Sequence, residues 1–267
     1  MVKVSVLIPV YNASSFLRES ISSILNQTFT DFELILLNDA STDNSREIIK
    51  EFKDPRIRYY ENKQNLGISG SRNRLMELAE GEYLAVMDND DVSLPERLDR
   101  QVNYLNEHPE VSVVGSWGKL FNHRSAATFV GKVRKFVTNM GWVWCQPEIV
   151  TAEETLRGNT CMHSSMMIRR RDFEACGIRY NPLYTPAEDY DLIRQALCCG
   201  LKVRNIQDIL FKYHLHGNNF SLQKKQMMKE ADVRVKKDIC KFLKIEKYRP
   251  YPYWLVILRK LRLEMFL

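Results

Sequence analysis

Several features that would place a protein at once are missing from these 267 residues. The six cysteines, Cys145, Cys161, Cys176, Cys198, Cys199 and Cys240, include no C-x-x-C pair. That removes the common zinc and thioredoxin-like patterns and leaves reduced thiols as the expectation. No stretch approaches the ~20 apolar residues of a membrane-spanning helix; Trp254–Leu258 is far too short. The opening MVKVSVLIPVYN does not read as a secretory leader, because its apolar run is short, stops at Pro9 and has no small-residue cleavage site. No G-x-G-x-x-G follows the first strand-like run and no Walker A motif occurs, which argues against a dinucleotide enzyme and a P-loop NTPase. Internal repeats and low-complexity tracts are also missing. The expectation is a cytoplasmic protein, peripheral at most on the inner face of a membrane.

What is present is ordinary in amount and uneven in placement. Hydrophobic residues make up 45% and charged residues 27%, enough apolar material for a real core without staples. Net charge is +6, but residues 222–267 hold 13 Lys/Arg against 5 Asp/Glu, a surplus of 8, so the remainder carries −2. A basic tail on a slightly acidic body argues against a nucleic-acid-binding domain and for a tail that meets an acidic surface.

Through residue 115 strand-like and helix-like segments alternate. Val4–Val10, Phe32–Leu37, Ile57–Glu61, Tyr83–Met87 and Val111–Gly115 read as strands. Leu17, Ile21, Ile24 and Leu25 recur at helical spacing with Ser14 or Ser15 as N-cap. Asp43–Phe52 and Ser69–Ala79 read as helices, and Pro95 suits the first position of another. This alternation predicts an α/β protein with a parallel, doubly wound sheet. Residues 116–180 are less regular. A helix is expected after Pro186, a strand over Val203–Tyr213, and a helix from Gln226 with lysines between its apolar positions.

The strands end in polar residues: PVYN, NDAS, ENKQN and DNDD. In open α/β sheets ligands bind outside the carboxyl ends of the strands. Asp88, Asp90 and Asp91 crowd one such end, where mutual repulsion and desolvation need an opposing charge. A divalent cation such as Mg²⁺ or Mn²⁺, shared with a diphosphate, is the economical answer; the alternative is that Asp88, Asn89 and Asp91 cap the next turn. Asp39 reads as a ligand for a base or ribose, or as part of a helix-capping segment. Tyr11 suits stacking on a base, or packing. In AEDYD, spacing does not decide between Glu188, Asp189 and Asp191 as a general base, and capping is open for all of them. His216 suits a metal ligand or a phosphate contact and His163, with the two serines after it, donors at a pocket rim; a structural role is the alternative for each histidine. Arg72 and Arg74 suit phosphates or a solvated helix face.

Taken together, SVLIPVYN, ELILLNDASTDNS, NLGISGSRNRLMELAEGEYLAVMDNDD, EDYDL and YHLHGNNFS, in that order over about residues 1–220, resemble the family 2 glycosyltransferases. The resemblance implies a GT-A fold, a Rossmann-like mixed sheet flanked by helices. It also implies inverting transfer from a nucleotide sugar, usually UDP-linked, with Mn²⁺ or Mg²⁺. Carried over by motif, Pro9, Val10 and Tyr11 begin the nucleotide pocket and Asp39 holds the base. Arg72 meets the nucleotide or its phosphates. Asp88 and Asp90, with Asn89 between them, form the metal-associated Asp-x-Asp, Asp90 being the direct ligand. Asp189 is the catalytic base, His216 meets the metal or diphosphate, and His163 and Glu188 lie on the acceptor side. The Q-x-x-R-W motif and membrane helices of processive members are missing, which implies single transfer.

This organisation divides the chain into a donor-binding part (1–115), an acceptor-binding and catalytic part (116–221) and a helical basic tail (222–267). The tail places Trp254, Leu258, Leu261 and Met265 on one face beside Arg259, Lys260 and Arg262. It suits an anionic membrane carrying a lipid-linked glycan acceptor, or docking on the domain or on another subunit. Oligomeric state is not readable. Two other classes compete: a sugar-1-phosphate nucleotidyltransferase, which would need a glycine-rich basic loop where PVYNASS stands, and a non-catalytic nucleotide-sugar-binding subunit.

Overall fold

The structure, a computed structural model, describes residues 2–121, 143–216 and 224–246. Expectations for the tail beyond residue 246 lie outside the described residues. The first half runs β1 (Val4–Val10), α1 (Leu17–Leu25), β2 (Phe32–Asn38), α2 (Ser45–Glu51), β3 (Ile57–Glu61), α3 (Gly67–Leu78), β4 (Tyr83–Val86), β5 (Val92–Ser93), α4 (Arg97–Glu107) and β6 (Val111–Phe121). The second runs β7 (Val143–Trp144), β8 (Ile149–Val150), α5 (Ala152–Thr155), β9 (Met167–Arg169), α6 (Arg170–Cys176), α7 (Glu188–Cys198), β10 (Lys202–His214) and α8 (Lys225–Phe242). Two 3-10 turns, His163–Ser165 and Pro182–Tyr184, sit before β9 and α7.

One sheet spans the described residues, in the order β3-β2-β1-β4-β9-β6-β10-β5. The first four strands are parallel, with Val4 opposite both Phe32 and Tyr83. All seven residues of β1 and of β2 are buried, as expected for strands covered on both faces. Their side chains alternate. Val4, Val6, Ile8 and Val10 pack with Leu17, Ile21 and Ile24 of α1 on one face, while Leu7, Ile35 and Leu37 pack with Leu75 and Met76 of α3 on the other. A third cluster joins Ala231, Val235 and Ile239 of α8 to Tyr190 of α7 and to Leu156.

Beyond β4 the sheet is mixed. The three-residue β9 lies antiparallel to both β4 and β6, β10 runs parallel to β6, and β5 closes the edge antiparallel to β10. The strand expected over 111–115 therefore stands one place away from β4, and it continues to Phe121, across the 115/116 division. Two cap expectations are corrected. Pro95 precedes α4 by two residues, with Glu96 as N-cap, because its carbonyl is used by Thr28 N and Thr28 Oγ1. Neither Ser14 nor Ser15 caps α1; Phe16 takes that position, and Ser14 N donates to Asp43 Oδ2 at 2.9 Å.

Gly115 lets β6, β10 and the segment before β9 close up. A Cβ there would stand 2.3 Å from Asn205 Oδ1 and 2.5 Å from Cys161 Sγ. We expect Gly115→Ala to cost about 1–3 kcal/mol by overpacking, lowering the melting temperature by about 2–10 °C. An unchanged melting curve would mean that these neighbours yield freely.

Candidate active site

The carboxyl ends of the parallel strands form one rim. After β1 and β2 the chain turns through left-handed backbone at Asn12 (φ 49°) and Ala40 (φ 57°), a conformation asparagine tolerates and alanine adopts at some cost. The two turns are laced together. Asn12 Oδ1 accepts from Thr42 N at 2.8 Å, Asn12 N donates to Ser41 Oγ, and Ala13 N donates to Ser45 Oγ. Pro9 and Val10 are interior strand residues, and Pro9 O accepts from Asn89 Nδ2 at 2.8 Å. Tyr11 is half exposed at the rim. Asp39 is buried. Its Oδ1 accepts from Asn62 Nδ2 at 2.6 Å and Leu66 N at 2.8 Å, so it shapes the turn between β3 and α3.

The crowded carboxylates after β4 diverge. Asp88 Oδ1 accepts from Arg72 Nη2 at 2.7 Å and lies 3.3 Å from His163 Nδ1, while Asp88 Oδ2 accepts from Ser164 Oγ at 3.0 Å. Burial alone would push this carboxyl up; His163 and Arg72 outweigh burial and hold it far below the usual carboxylate range. Asp90 Oδ2 stands 2.8 Å from His216 Nε2, both side chains partly exposed. The His216 ring stacks on Phe16 at 4.5 Å between centroids. Asp91 is buried, and its Oδ1 accepts from His214 N at 2.8 Å, tying the turn to the end of β10. Burial, then Asp90 and Asp88, raise the Asp91 carboxyl well above its ordinary value. Burial also lowers the Arg97 guanidinium to about 10, with Asp91 opposing the shift.

Arg72 joins this strand end to the second half of the chain. Its Nη1 donates to Glu188 Oε1 at 2.5 Å while Nη2 holds Asp88. Arg72 and Glu188 are both buried, and Arg72 Nε and Glu188 Oε2 have no hydrogen-bond partner. Burial raises the Glu188 carboxyl, and Arg72 offsets only part of that. His163 is buried too; its Nε2 meets the Tyr180 hydroxyl at 3.0 Å, and the Arg72 guanidinium lies over the Tyr180 ring at 5.4 Å. The solvated helix face considered for Arg72 is excluded, and both of its terminal nitrogens are already committed to carboxylates. Arg74 Nη1 donates to Asn62 Oδ1.

The three acids at the start of α7 are separated by burial. Glu188 is bonded to Arg72. Asp191 is fully buried and accepts from Arg194 Nε and Gln195 Nε2, both at 2.7 Å. Asp189 alone is partly exposed; its Oδ2 accepts from Asn159 Nδ2 and its Oδ1 from Tyr190 N, both at 2.8 Å. The structure thus brings Asp88, Arg72, Glu188 and His163 into one bonded network, with Asp189 next along the helix from Glu188. Asp90 and His216 form a separate pair. Ser164, expected with His163 as a donor at a pocket rim, donates to Asp88; Asn159 and Tyr180 were not expected from sequence. They lie in irregular segments where spacing carries no signal, and only their polar character could have drawn attention.

Breaking the Arg72 bridge leaves the buried Glu188 carboxylate uncompensated and leaves Asp88, 29% exposed, with only His163 as a cationic partner. We expect Arg72→Ala to destabilise by about 3–5 kcal/mol, read as a fall in the denaturant midpoint. Arg72→Ala with wild-type stability would show that water replaces the guanidinium without loss.

Comparison with known proteins identifies the family and the fold. The family profile described as Glycosyl transferase family 2 matches residues 5–177. An uncharacterized glycosyltransferase of Haemophilus influenzae is 31% identical over 239 residues, covering 88% of this chain and 72% of the relative. The Escherichia coli protein UDP-Glc:alpha-D-GlcNAc-diphosphoundecaprenol beta-1,3-glucosyltransferase WfaP is 26% identical over 86% of this chain and 84% of its own. Among solved structures, the mannosyltransferase PcManGT of Pyrobaculum calidifontis, in complex with GDP-Man and Mn²⁺, superposes with a TM-score of 0.62 at 15% identity. That match covers 98% of this chain and 80% of the mannosyltransferase, and shows a common fold. The mixed sheet with helices on both faces is the GT-A fold, and the chain belongs to glycosyltransferase family 2.

Proposed function

We propose that this enzyme transfers a sugar, with inversion, from a UDP-linked donor to a hydroxyl of a glycan or lipid-linked glycan. The observation that carries this reading is the sorting of the three α7 acids, which leaves Asp189 alone partly exposed while the Arg72–Glu188 bond ties its helix to the donor-side strand end. A carboxylate so placed can take the proton of an acceptor hydroxyl. The acceptor oxygen then attacks the anomeric carbon in line, its new bond forming as the bond to the diphosphate oxygen breaks. A single base without a protein nucleophile suits inversion. Donor identity follows the E. coli relative, named for UDP-Glc, and the lipid-linked acceptor follows the same name. In this reading Pro9, Val10, Tyr11, Asp39 and Asn89 line the nucleotide side. His163 and Glu188 support the acceptor side from beneath the surface.

The residues present fit a divalent ion. Asp90 and His216 offer one carboxylate oxygen and one imidazole nitrogen at the rim, a donor pair that suits Mn²⁺ or Mg²⁺ completed by diphosphate oxygens and water. Among the described residues no cluster of three or more His, Cys, Asp or Glu side chains is arranged to hold a metal without such help. When bound, the ion supplies positive charge against the leaving diphosphate. Asp88, with both oxygens engaged, supports Asp90 rather than joining it. Among the described residues no helix is long and apolar enough to cross a membrane; contact with the inner face through the basic tail belongs to this proposal.

UDP release from a panel of nucleotide sugars and acceptors tests the reading. We expect turnover with Mn²⁺, loss in EDTA, and loss in Asp90→Ala. Asp189→Asn should retain donor binding while turnover falls about 10²–10⁴-fold. Near-wild-type turnover in that variant would remove Asp189 from the role of base, and metal-independent turnover would remove the ion.

A further inference from the structure

Asn159 lies between α5 and the 3-10 turn at His163–Ser165, and its side chain is not free to choose its orientation. Its Oδ1 accepts from Cys161 N at 3.2 Å. Only the oxygen of the amide can take that bond, so the NH₂ group is directed at Asp189, where it donates to Oδ2 at 2.8 Å. The segment that carries it is itself fastened. Asn205 Nδ2 of β10 donates to Thr160 O at 2.9 Å, Thr160 Oγ1 meets Thr155 Oγ1 at 3.1 Å, and the Tyr190 hydroxyl of α7 donates to Thr155 O. α7 and the Asn159 segment thus hold each other, and Asp189 sits between them.

We propose that Asn159 is the positioning residue of the catalytic base, fixing the Asp189 carboxylate in one rotamer for the incoming acceptor hydroxyl. The inference rests on the reading of Asp189 as that base. The amide supplies a donor that cannot be deprotonated and carries no charge, so it orients the carboxylate without the ion pair that Arg or Lys would form with it. The backbone of Tyr190 engages the other oxygen at 2.8 Å, so together the two donors define the carboxylate plane. Each oxygen retains a lone pair for the acceptor. The charged and titratable groups around Asp189 are Glu188 on its own helix, Arg72 from α3 behind Glu188, Tyr180 and Cys161. None of these replaces the amide bond.

Asn159→Asp is the informative variant. It keeps an oxygen for Cys161 N and nearly the same shape, but turns the donor into a second acceptor. With the donor sugar saturating, we expect kcat to fall about tenfold to a hundredfold, the loss of one hydrogen bond to a charged group. The acid limb of the kcat/KM profile should move up by about one pH unit, because a repelled carboxylate protonates more readily. Donor affinity by calorimetry and the melting temperature should stay near wild type. Asn159→Ala, which lacks the new charge, should lose kcat with a smaller movement of the acid limb. In an Asp189→Asn background, Asn159→Asp should cause little further loss, since the two act as a unit. Loss that is uniform in pH and follows a lowered melting temperature in both variants would overturn the proposal by making Asn159 merely structural. So would unchanged kinetics. If Asp189→Asn itself turns over normally, the base assignment fails; if Asp189→Asn is inactive and both Asn159 variants are normal, only the present inference fails.

Discussion

A guanidinium buried between two carboxylates holds this site together. Arg72 comes from α3, Asp88 from the end of β4 and Glu188 from the start of α7, so three elements distant in sequence meet at one cation. Taking these charges out of water is expensive, and their attraction compensates only if the geometry is good. The 2.5 Å and 2.7 Å contacts meet that condition. Arg72 Nε and Glu188 Oε2 do not; each unsatisfied buried group costs about 1–3 kcal/mol. A fold that carries this cost gains a fixed relation between the donor-side strand end and the first turn of α7. Hydrophobic residues in place of Arg72 and both of its carboxylates could stabilise the core but could not align the two turns.

The same bridge explains part of how three carboxylates coexist within four residues. Repulsion is relieved in three different ways, not by one counter-charge. Asp88 is compensated by Arg72 and His163 and remains strongly acidic. Asp90 turns to the rim and pairs with His216. Asp91 goes into the interior, where burial raises its proton affinity and His214 N accepts the role of anchor by donating to it. Much of the opposing charge that the sequence demands is therefore supplied by the protein. In the proposed reading, Asp90 and His216 would offer an ion two ligands at the surface, and a substrate diphosphate would have to complete its shell. Metal and donor would then bind cooperatively, since neither is fully coordinated without the other.

How far all this was legible follows from where periodicity exists. β1, β2, β4 and their helices were readable because strands covered on both faces read as near-continuous apolar runs and α1 and α3 carry helical spacing, whereas β3, IRYYE at the sheet edge, is only half-buried. The polar strand ends pointed to the rim, and the order of five motifs identified the family. The antiparallel insertion of β9 was not readable: a three-residue strand in NTCMHSSMMIRRR is too short for any period to show. The direction of Arg72 was hidden for another reason. An arginine in a helix between polar neighbours looks the same whether it faces water or a buried acid 116 positions away, and only tertiary packing decides. The acids of EDYD were legible as a group but not as individuals, because their differences are differences of burial.

Donor and acceptor sides are supported by different kinds of structure, and that difference bears on specificity. The donor side stands on the ends of four parallel strands, with turns locked by backbone-to-side-chain bonds among Asn12, Ser41, Thr42, Asp43 and Ser45. Changing a residue there disturbs the register of the core. The acceptor side stands on irregular segments around Asn159, His163 and Tyr180, which touch the core mainly through side chains. These segments also pack on the sheet, with Cys161 and Tyr180 in its core, so rebuilding is confined to their exposed positions. Two points must survive any rebuilding: the Arg72–Glu188 bond, which places the first turn of α7, and a neutral donor opposite Asp189, which orients its carboxylate. In the proposed reading, an acceptor pocket can therefore diverge at its exposed positions around a base whose position is set from the donor side and whose rotamer is set from the acceptor side.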